Sequence, residues 1–295
     1  MKKWVLFLMC SFSACALFIT QTVQEIDSFD QVQDTLSKAD ASTLIVLEIN
    51  DTLLTYQDQQ LRKKFRESEF IQQLEDKYEA LIRQHKNAQS YERLLRGIIL
   101  KTAKKRLIEP NAVEQIKQAR DKGAKVILLT HTTVAPFGEG KHCVIPNVPE
   151  WRFAELLSFG IDLSSSFPES QIIFDQLPKY LGYHPVFYKG ILFANTVLKG
   201  RMLGAFLDKV GWKPSMVIFF DANRDQVQDV AKEMKKRRIS YRGYYYKGEA
   251  KLPGQLDEEI AAMQQYYLFK HEKWLDDGQA KKKIMQGRMK EHLLL

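Results

Sequence analysis

Disulfides are the first thing this chain does without. It has three cysteines in 295 residues, and two of them, Cys10 and Cys15, lie in an apolar N-terminal segment. If that segment is removed only Cys143 remains, and no internal bridge can form. A chain of this length buries enough core to be stable without one. It also lacks an apolar run of the roughly 20 residues that a comfortable membrane span takes. The run from Trp4 to Ile19 is shorter and is interrupted by Ser11 and Ser13. Zinc-ligand spacing is missing as well, because His131, His142 and Cys143 stand in no pattern typical of such a site. Nor is there a large excess of one charge. Lys and Arg number 44 against 36 Asp and Glu, a net +8, part of it in two local runs. That surplus permits an anionic partner but selects none, and no specific nucleic-acid partner is implied.

The N-terminus is more telling. Lys2-Lys3 precede the Trp4–Ile19 run, a basic region followed by an apolar one, which is the form of a secretory signal peptide. Ala14-Cys15-Ala16 offers a small-residue cleavage site. Phe12-Ser13-Ala14-Cys15 is also similar to a lipobox, with Cys15 as the lipidated residue. The expectation is an exported bacterial protein, whether periplasmic, envelope-attached or secreted, with residues 1–22 as its leader. A cleaved signal, a lipoprotein and an uncleaved anchor are its three possible forms. Membrane contact then runs only through this segment or a lipid on Cys15.

Further on, apolar runs end abruptly in polar groups. Thr43-Leu44-Ile45-Val46-Leu47 reads as a strand buried on both faces, and it stops at Glu48-Ile49-Asn50-Asp51-Thr52. Lys125–Leu129 ends in Thr130-His131-Thr132-Thr133, and Met216–Phe220 ends in Asp221-Ala222-Asn223-Arg224-Asp225. In open α/β sheets ligands bind beyond the carboxyl ends of the strands. Between the first two runs, residues 57–107 contain no Pro and one Gly, Gly97, and read as helix almost throughout. Val23–Asp40 reads as a short helix or an extended lead-in beside the first strand. Pro185–Phe193 reads as a hairpin turning at Lys189-Gly190. Lys199-Gly200 precedes a helix over Met202–Val210, and Ile239–Tyr246 reads as a further strand. The basic runs Lys235–Arg238 and Lys281–Lys283 read as solvated faces, with anion-binding surfaces as the alternative.

Over about residues 40 to 250 these features resemble the haloacid dehalogenase (HAD) superfamily. Glu48-Ile49-Asn50-Asp51-Thr52 is similar to its motif I, Asp-x-Asp-x-Thr. Thr130 corresponds to the motif II hydroxyl that binds the phosphoryl group. Lys199, with Arg201 as the alternative, corresponds to the motif III lysine that neutralises the phosphoenzyme. Asp221 and Asp225 match the Asp-x-x-x-Asp form of motif IV, which binds Mg²⁺, although Asp225 is also placed to cap the helix that follows. Gly190-Ile191-Leu192-Phe193 followed by Lys199-Gly200 resembles a bacterial branch of the superfamily that has no established function. The resemblance implies an α/β fold: a three-layer Rossmann-like core with a parallel sheet, built from residues 23–56 and 108–250. It further implies a helical cap insertion over 57–107, and the remainder, 251–295, reads as a basic helical tail. Around Mg²⁺ it implies Glu48, the backbone carbonyl of Asn50, Asp221 and Asp225, since this ion takes oxygen ligands.

Two departures bear on catalysis. Glu48 stands where the superfamily has its nucleophilic Asp, and Asn50 stands where its phosphatases have the acid/base Asp. The expectation is a degenerate phosphatase site that binds Mg²⁺ and a phosphorylated small molecule, or a protein partner, without efficient turnover. An active Mg²⁺-dependent phosphohydrolase using Glu48 is one alternative. An envelope or secreted interaction protein is the other.

Overall fold

The run Thr43–Leu47 is buried along its whole length, and in the computed structural model it lies at the centre of the main sheet. The structure describes residues 19–287. The first half of the chain forms β1 (Gln21–Ile26), α1 (Gln33–Ser37), β2 (Thr43–Leu47), β3 (Leu54–Tyr56), α2 (Lys63–Arg66), α3 (Glu69–Arg83), α4 (Ala88–Thr102), β4 (Lys105–Leu107), α5 (Pro110–Asp121), β5 (Lys125–Thr130) and α6 (Val148–Ser158). The second half forms β6 (Gln171–Ile173), β7 (Val186–Tyr188), β8 (Ile191–Phe193), α7 (Lys199–Lys209), β9 (Met216–Asp221), α8 (Arg224–Lys236), β10 (Ser240–Tyr246), α9 (Gly248–Lys251), α10 (Glu258–His271) and α11 (Asp277–Met285).

The main sheet has the order β1-β10-β9-β2-β5-β8-β7-β6. Its strands are parallel from β1 through β8, and β7 and β6 continue it antiparallel. Successive residues of β2 point to opposite faces, and each face has its own apolar cluster. Ile45 and Leu47 pack with residues of α1, α5 and α6. Leu44 and Val46 pack with Met202, Leu203 and Phe206 of α7 and Val227, Val230 and Met234 of α8. The protein is therefore α/β, with a mostly parallel central sheet flanked by helices, as in a three-layer Rossmann-like core. The β7–β8 hairpin turns at Lys189 (φ 45) and Gly190 (φ 86), the left-handed pair that a tight turn of this kind requires.

Several sequence expectations are corrected. The lead-in is extended and then helical, as β1 and α1, but β1 lies at the sheet edge beside β10, not next to β2. The ladder of β1 already includes Gln21 and Thr22, the last two residues of the expected leader. Residues 1–18, with Cys10 and Cys15, lie outside the described residues. The stretch 57–107, expected as near-continuous helix, closes as strand: β4 pairs antiparallel with β3, which immediately precedes the stretch, and α2, α3 and α4 lie between them. Gly97 is small for a packing reason, since a Cβ there would come 2.5 Å from both Phe137 Cβ and Val144 Cγ2.

The C-terminal segment packs on the insertion. α10 lies against α3, and Leu268 and Trp274 share an apolar cluster with Leu94, Leu95 and Ile98 of α4. Trp274 donates its indole N–H to Asp58 at 2.8 Å. Gln60 bonds Gln264 at 2.6 Å. Arg62, fully buried, donates to the Glu249 carboxylate at 2.9 Å and to the carbonyls of Glu249, Leu252 and Pro253. Among the described residues no helix is long and apolar enough to cross a membrane.

Candidate functional site

Register brings the first two acids together. Leu47 is paired with Phe220 across β2 and β9, so the next residues, Glu48 and Asp221, emerge side by side. The Glu48 N–H donates to the Phe220 carbonyl at 2.9 Å, extending the ladder to the end of the strand. β5 flanks β2 on the other side and places Thr130 at its own end. Lys199 opens α7, the helix between β8 and β9, and its side chain is buried among these strand ends.

The Lys199 ammonium bonds both carboxylates. It donates to Asp221 Oδ2 at 2.6 Å and to Glu48 Oε2. The other Glu48 oxygen accepts the backbone N–H groups of Ile49 at 2.8 Å and Asn50 at 3.3 Å. The other Asp221 oxygen accepts the Asn223 N–H at 2.8 Å. All three side chains are nearly inaccessible to solvent. Burial pushes the Glu48 carboxyl up, but Lys199, the Ile49 N–H and Thr130 together outweigh it and hold the group below its ordinary value. For Asp221 burial prevails over the Lys199 charge, the nearby Glu48 charge adds to it, and the group is pushed up to about 6. Burial alone would lower the Lys199 pKa, yet its two carboxylate partners raise it. With every group ionised, two carboxylates and one ammonium leave one net negative charge.

Asn50 is half-buried and brings its N–H to Glu48. Asp51 has a left-handed backbone (φ 60) and its carboxylate pairs with Arg66 of the insertion. Thr52 accepts the Ala222 N–H at 3.0 Å, tying the loop after β2 to the loop after β9. Asp225 does not join the cluster. It is exposed on the first turn of α8, and the residue capping that helix is Asn223, whose side chain accepts the N–H groups of Asp225 and Gln226. Arg201 is likewise exposed, outside the cluster.

The donor chemistry suits Mg²⁺. That ion is held by one or two carboxylates together with waters and phosphate oxygens, and Glu48 and Asp221 are a pair close enough to share one ammonium. Among the described residues no group of three or more His, Cys, Asp and Glu side chains gathers as a metal cage.

A cavity of about 620 Å³ lies next to this cluster. The insertion contributes Arg66, Tyr78, Arg93 and Arg96 to its wall; the core contributes His131, Thr132, Thr133 and Asn195; α10 contributes Leu268 and Phe269. The buried cluster does not line the cavity itself. Thr130 connects the two, with its hydroxyl 3.1 Å from that of Thr132. Three cations of the insertion reach down to the loops at the strand ends: Lys63 to the Ala222 carbonyl, Arg66 to Asp51, and Arg93 to the carbonyls of Ala135, at 2.7 Å, and Pro136. Sequence reasoning missed these three, because an Arg or Lys on an amphipathic helix has no local mark that separates a contact to the core from a solvated face.

Residues 25–281 match the model of a family described as protein of unknown function (DUF2608). An uncharacterized protein of Rickettsia prowazekii is 24% identical over 253 residues, which cover 86% of this chain and 87% of that protein. An uncharacterized protein of Rickettsia felis is 36% identical over 107 residues, 34% of this chain and 36% of that protein. No solved structure matches the chain.

Proposed function

Since the chain belongs to the DUF2608 family, whose function is unknown, we propose a reading that rests on the site: an exported HAD-like protein that binds a phosphorylated ligand and Mg²⁺ beneath its helical insertion and turns the ligand over poorly or not at all. The observation that carries it is the single Lys199 ammonium bonded to both Glu48 and Asp221 at the ends of adjacent strands.

In-line attack on phosphorus needs a free carboxylate oxygen at a defined place. Glu48 extends one methylene further than Asp, about 1.5 Å, and a misplacement of about 1 Å can cost on the order of a hundredfold in rate. Both of its oxygens accept hydrogen bonds, one from two backbone N–H groups and one from Lys199. The Asn50 amide cannot exchange a proton with a leaving group, which removes a further roughly 10²–10⁴-fold. Binding is spared, because Thr130 and Lys199 remain as donors to an oxyanion. Mg²⁺, held by Glu48 and Asp221, would supply neutralisation of the phosphoryl charge. The cavity has the volume of an ordinary small-molecule site, which favours a phosphorylated small molecule over a protein partner.

A second reading, a working phosphohydrolase with Glu48 as nucleophile, is favoured by one observation: Glu48 is held ionised beside Thr130 and Lys199. One experiment separates the two. We expect negligible Mg²⁺-dependent hydrolysis of an aryl phosphate by the natural protein, and a gain in Glu48→Asp/Asn50→Asp that exceeds the gain of either single change, since the two groups act as a unit. Brisk turnover by the natural protein, abolished in Glu48→Ala, would overturn the non-catalytic reading. Inactivity of the double variant would favour an interaction protein.

A further inference from the structure

A second group of buried charges lies behind the cavity wall and takes no part in the Glu48 cluster. Lys105 of β4 and Arg152 of α6 both point at Glu155, one helical turn along from Arg152. Lys105 Nζ is 2.5 Å from Glu155 Oε1, and Arg152 bonds the other oxygen. The Arg152 side chain is 0% exposed and that of Lys105 3%. Two buried cations thus share one carboxylate, leaving a positive charge without a counterion among the described residues. Cations over the rings of Tyr56 and Trp151 relieve this in part, at 4.7 to 5.1 Å. The donors are also underused. Among the described residues Arg152 Nε has no hydrogen-bond partner, and its Nη2 reaches Thr132 Oγ1 only at 3.4 Å. Burial, and then the charge of Arg152, push the Lys105 ammonium down to about 8. A buried cation in that condition is costly unless an anion completes its pairing.

We infer that Arg152 and Lys105 form a recognition site for an oxyanionic group, carboxylate or phosphate, of a ligand that enters between Tyr56 and Thr132. Both of those residues line the cavity; Tyr56 lies under Lys105 and Thr132 holds the long contact to Arg152. The guanidinium suits such a group because its fork matches two oxygens at once. This deepens the reading of the cavity as a ligand site: the ligand presents an anionic group to α6 and β4 as well as one to Thr130. Without a ligand, the same three side chains tie α6 to β4.

Calorimetric titration of the full chain with inorganic phosphate tests the inference. Natural protein is compared with Lys105→Met, Glu155→Gln and Lys199→Met. We expect Lys105→Met to bind phosphate at least about tenfold more weakly, the loss of one charge-assisted hydrogen bond. Glu155→Gln should bind it more tightly, because the internal carboxylate no longer competes, and phosphate should raise its unfolding temperature more than that of the natural protein. If Glu155→Gln does not fold, Lys105→Met decides alone. Phosphate affinity unchanged in Lys105→Met, or no binding by the natural protein at millimolar phosphate, would overturn the inference. Binding lost in Lys199→Met and untouched in Lys105→Met would leave the proposed function standing and remove only this site.

Discussion

Replacing Lys199 by Met keeps most of the side-chain volume and removes the ammonium from between two buried carboxylates. Breaking a buried ion pair by deleting one partner costs about 3–5 kcal/mol, because the remaining charge is left uncompensated. At roughly 2–4 °C per kcal/mol for a chain of this size, the unfolding temperature should fall by about 6–20 °C at pH 7.5. The deficit should shrink on acidification, and its sign follows from Asp221. That carboxyl is raised from 3.8 to about 6 in the folded protein. Its contribution to stability is fully present below the unfolded value and is lost as pH rises through about 6, a change of about 3 kcal/mol. Without Lys199 the two carboxyls repel and hold a proton to higher pH, so at pH 5 the variant sheds most of its electrostatic cost. Thermal unfolding followed by circular dichroism at pH 5 and 7.5 measures this, and millimolar Mg²⁺ at pH 7.5 should restore part of the loss by replacing the missing positive charge. A variant as stable as the natural protein at pH 7.5, or a deficit identical at both pH values, would refute the reasoning.

Other substitutions probe the insertion. Gly97→Ala should gain about 1 kcal/mol from helix propensity, yet its Cβ would meet Phe137 and Val144 at 2.5 Å. Overpacking costs about 1–3 kcal/mol, so the expected net is a lower unfolding temperature, and a rise would show that loop 137–144 yields freely. Arg62→Met removes the buried guanidinium that pairs with the Glu249 carboxylate and donates to the carbonyls of Glu249, Leu252 and Pro253; we expect a loss of about 3–5 kcal/mol and faster limited proteolysis near residues 248–257, whereas unchanged proteolysis would mean that the remaining contacts hold the C-terminal helices. At the N-terminus, the Thr20 carbonyl accepts from Tyr241 at 2.8 Å and β1 starts at Gln21. A processed chain should therefore begin at or before Thr20, which mass spectrometry of protein from its native host reads directly; an intact Met1 would refute export with cleavage.

Sequence alone determined the elements whose signal is local. The charge-free run Thr43–Leu47 is a strand buried on both faces because four of its five residues are apolar. The polar ends at Glu48, Thr130 and Asp221 mark the same edge of the sheet because parallel strands all finish on one side. The Lys189-Gly190 turn was legible because a two-residue hairpin needs positive φ in its loop, which glycine adopts readily. Tertiary structure decided what depends on partners far along the chain. β3 and β4 are three residues each and become strands only by pairing with one another across the insertion, so Lys105–Leu107 has no signature of its own. β1 reads as polar and irregular because it lies at an edge, where most of its residues face solvent and alternation is not enforced. Asp225 matched a spacing, but the first turn of α8 directs it outward while Asn223 takes the cap. The pairing of Lys105 with Glu155, which Arg152 shares, and the packing of α10 on α3 join segments tens to nearly two hundred residues apart. Such contacts form because the folded chain must bury charge in pairs and cover apolar faces, and no local pattern records which partner will do so.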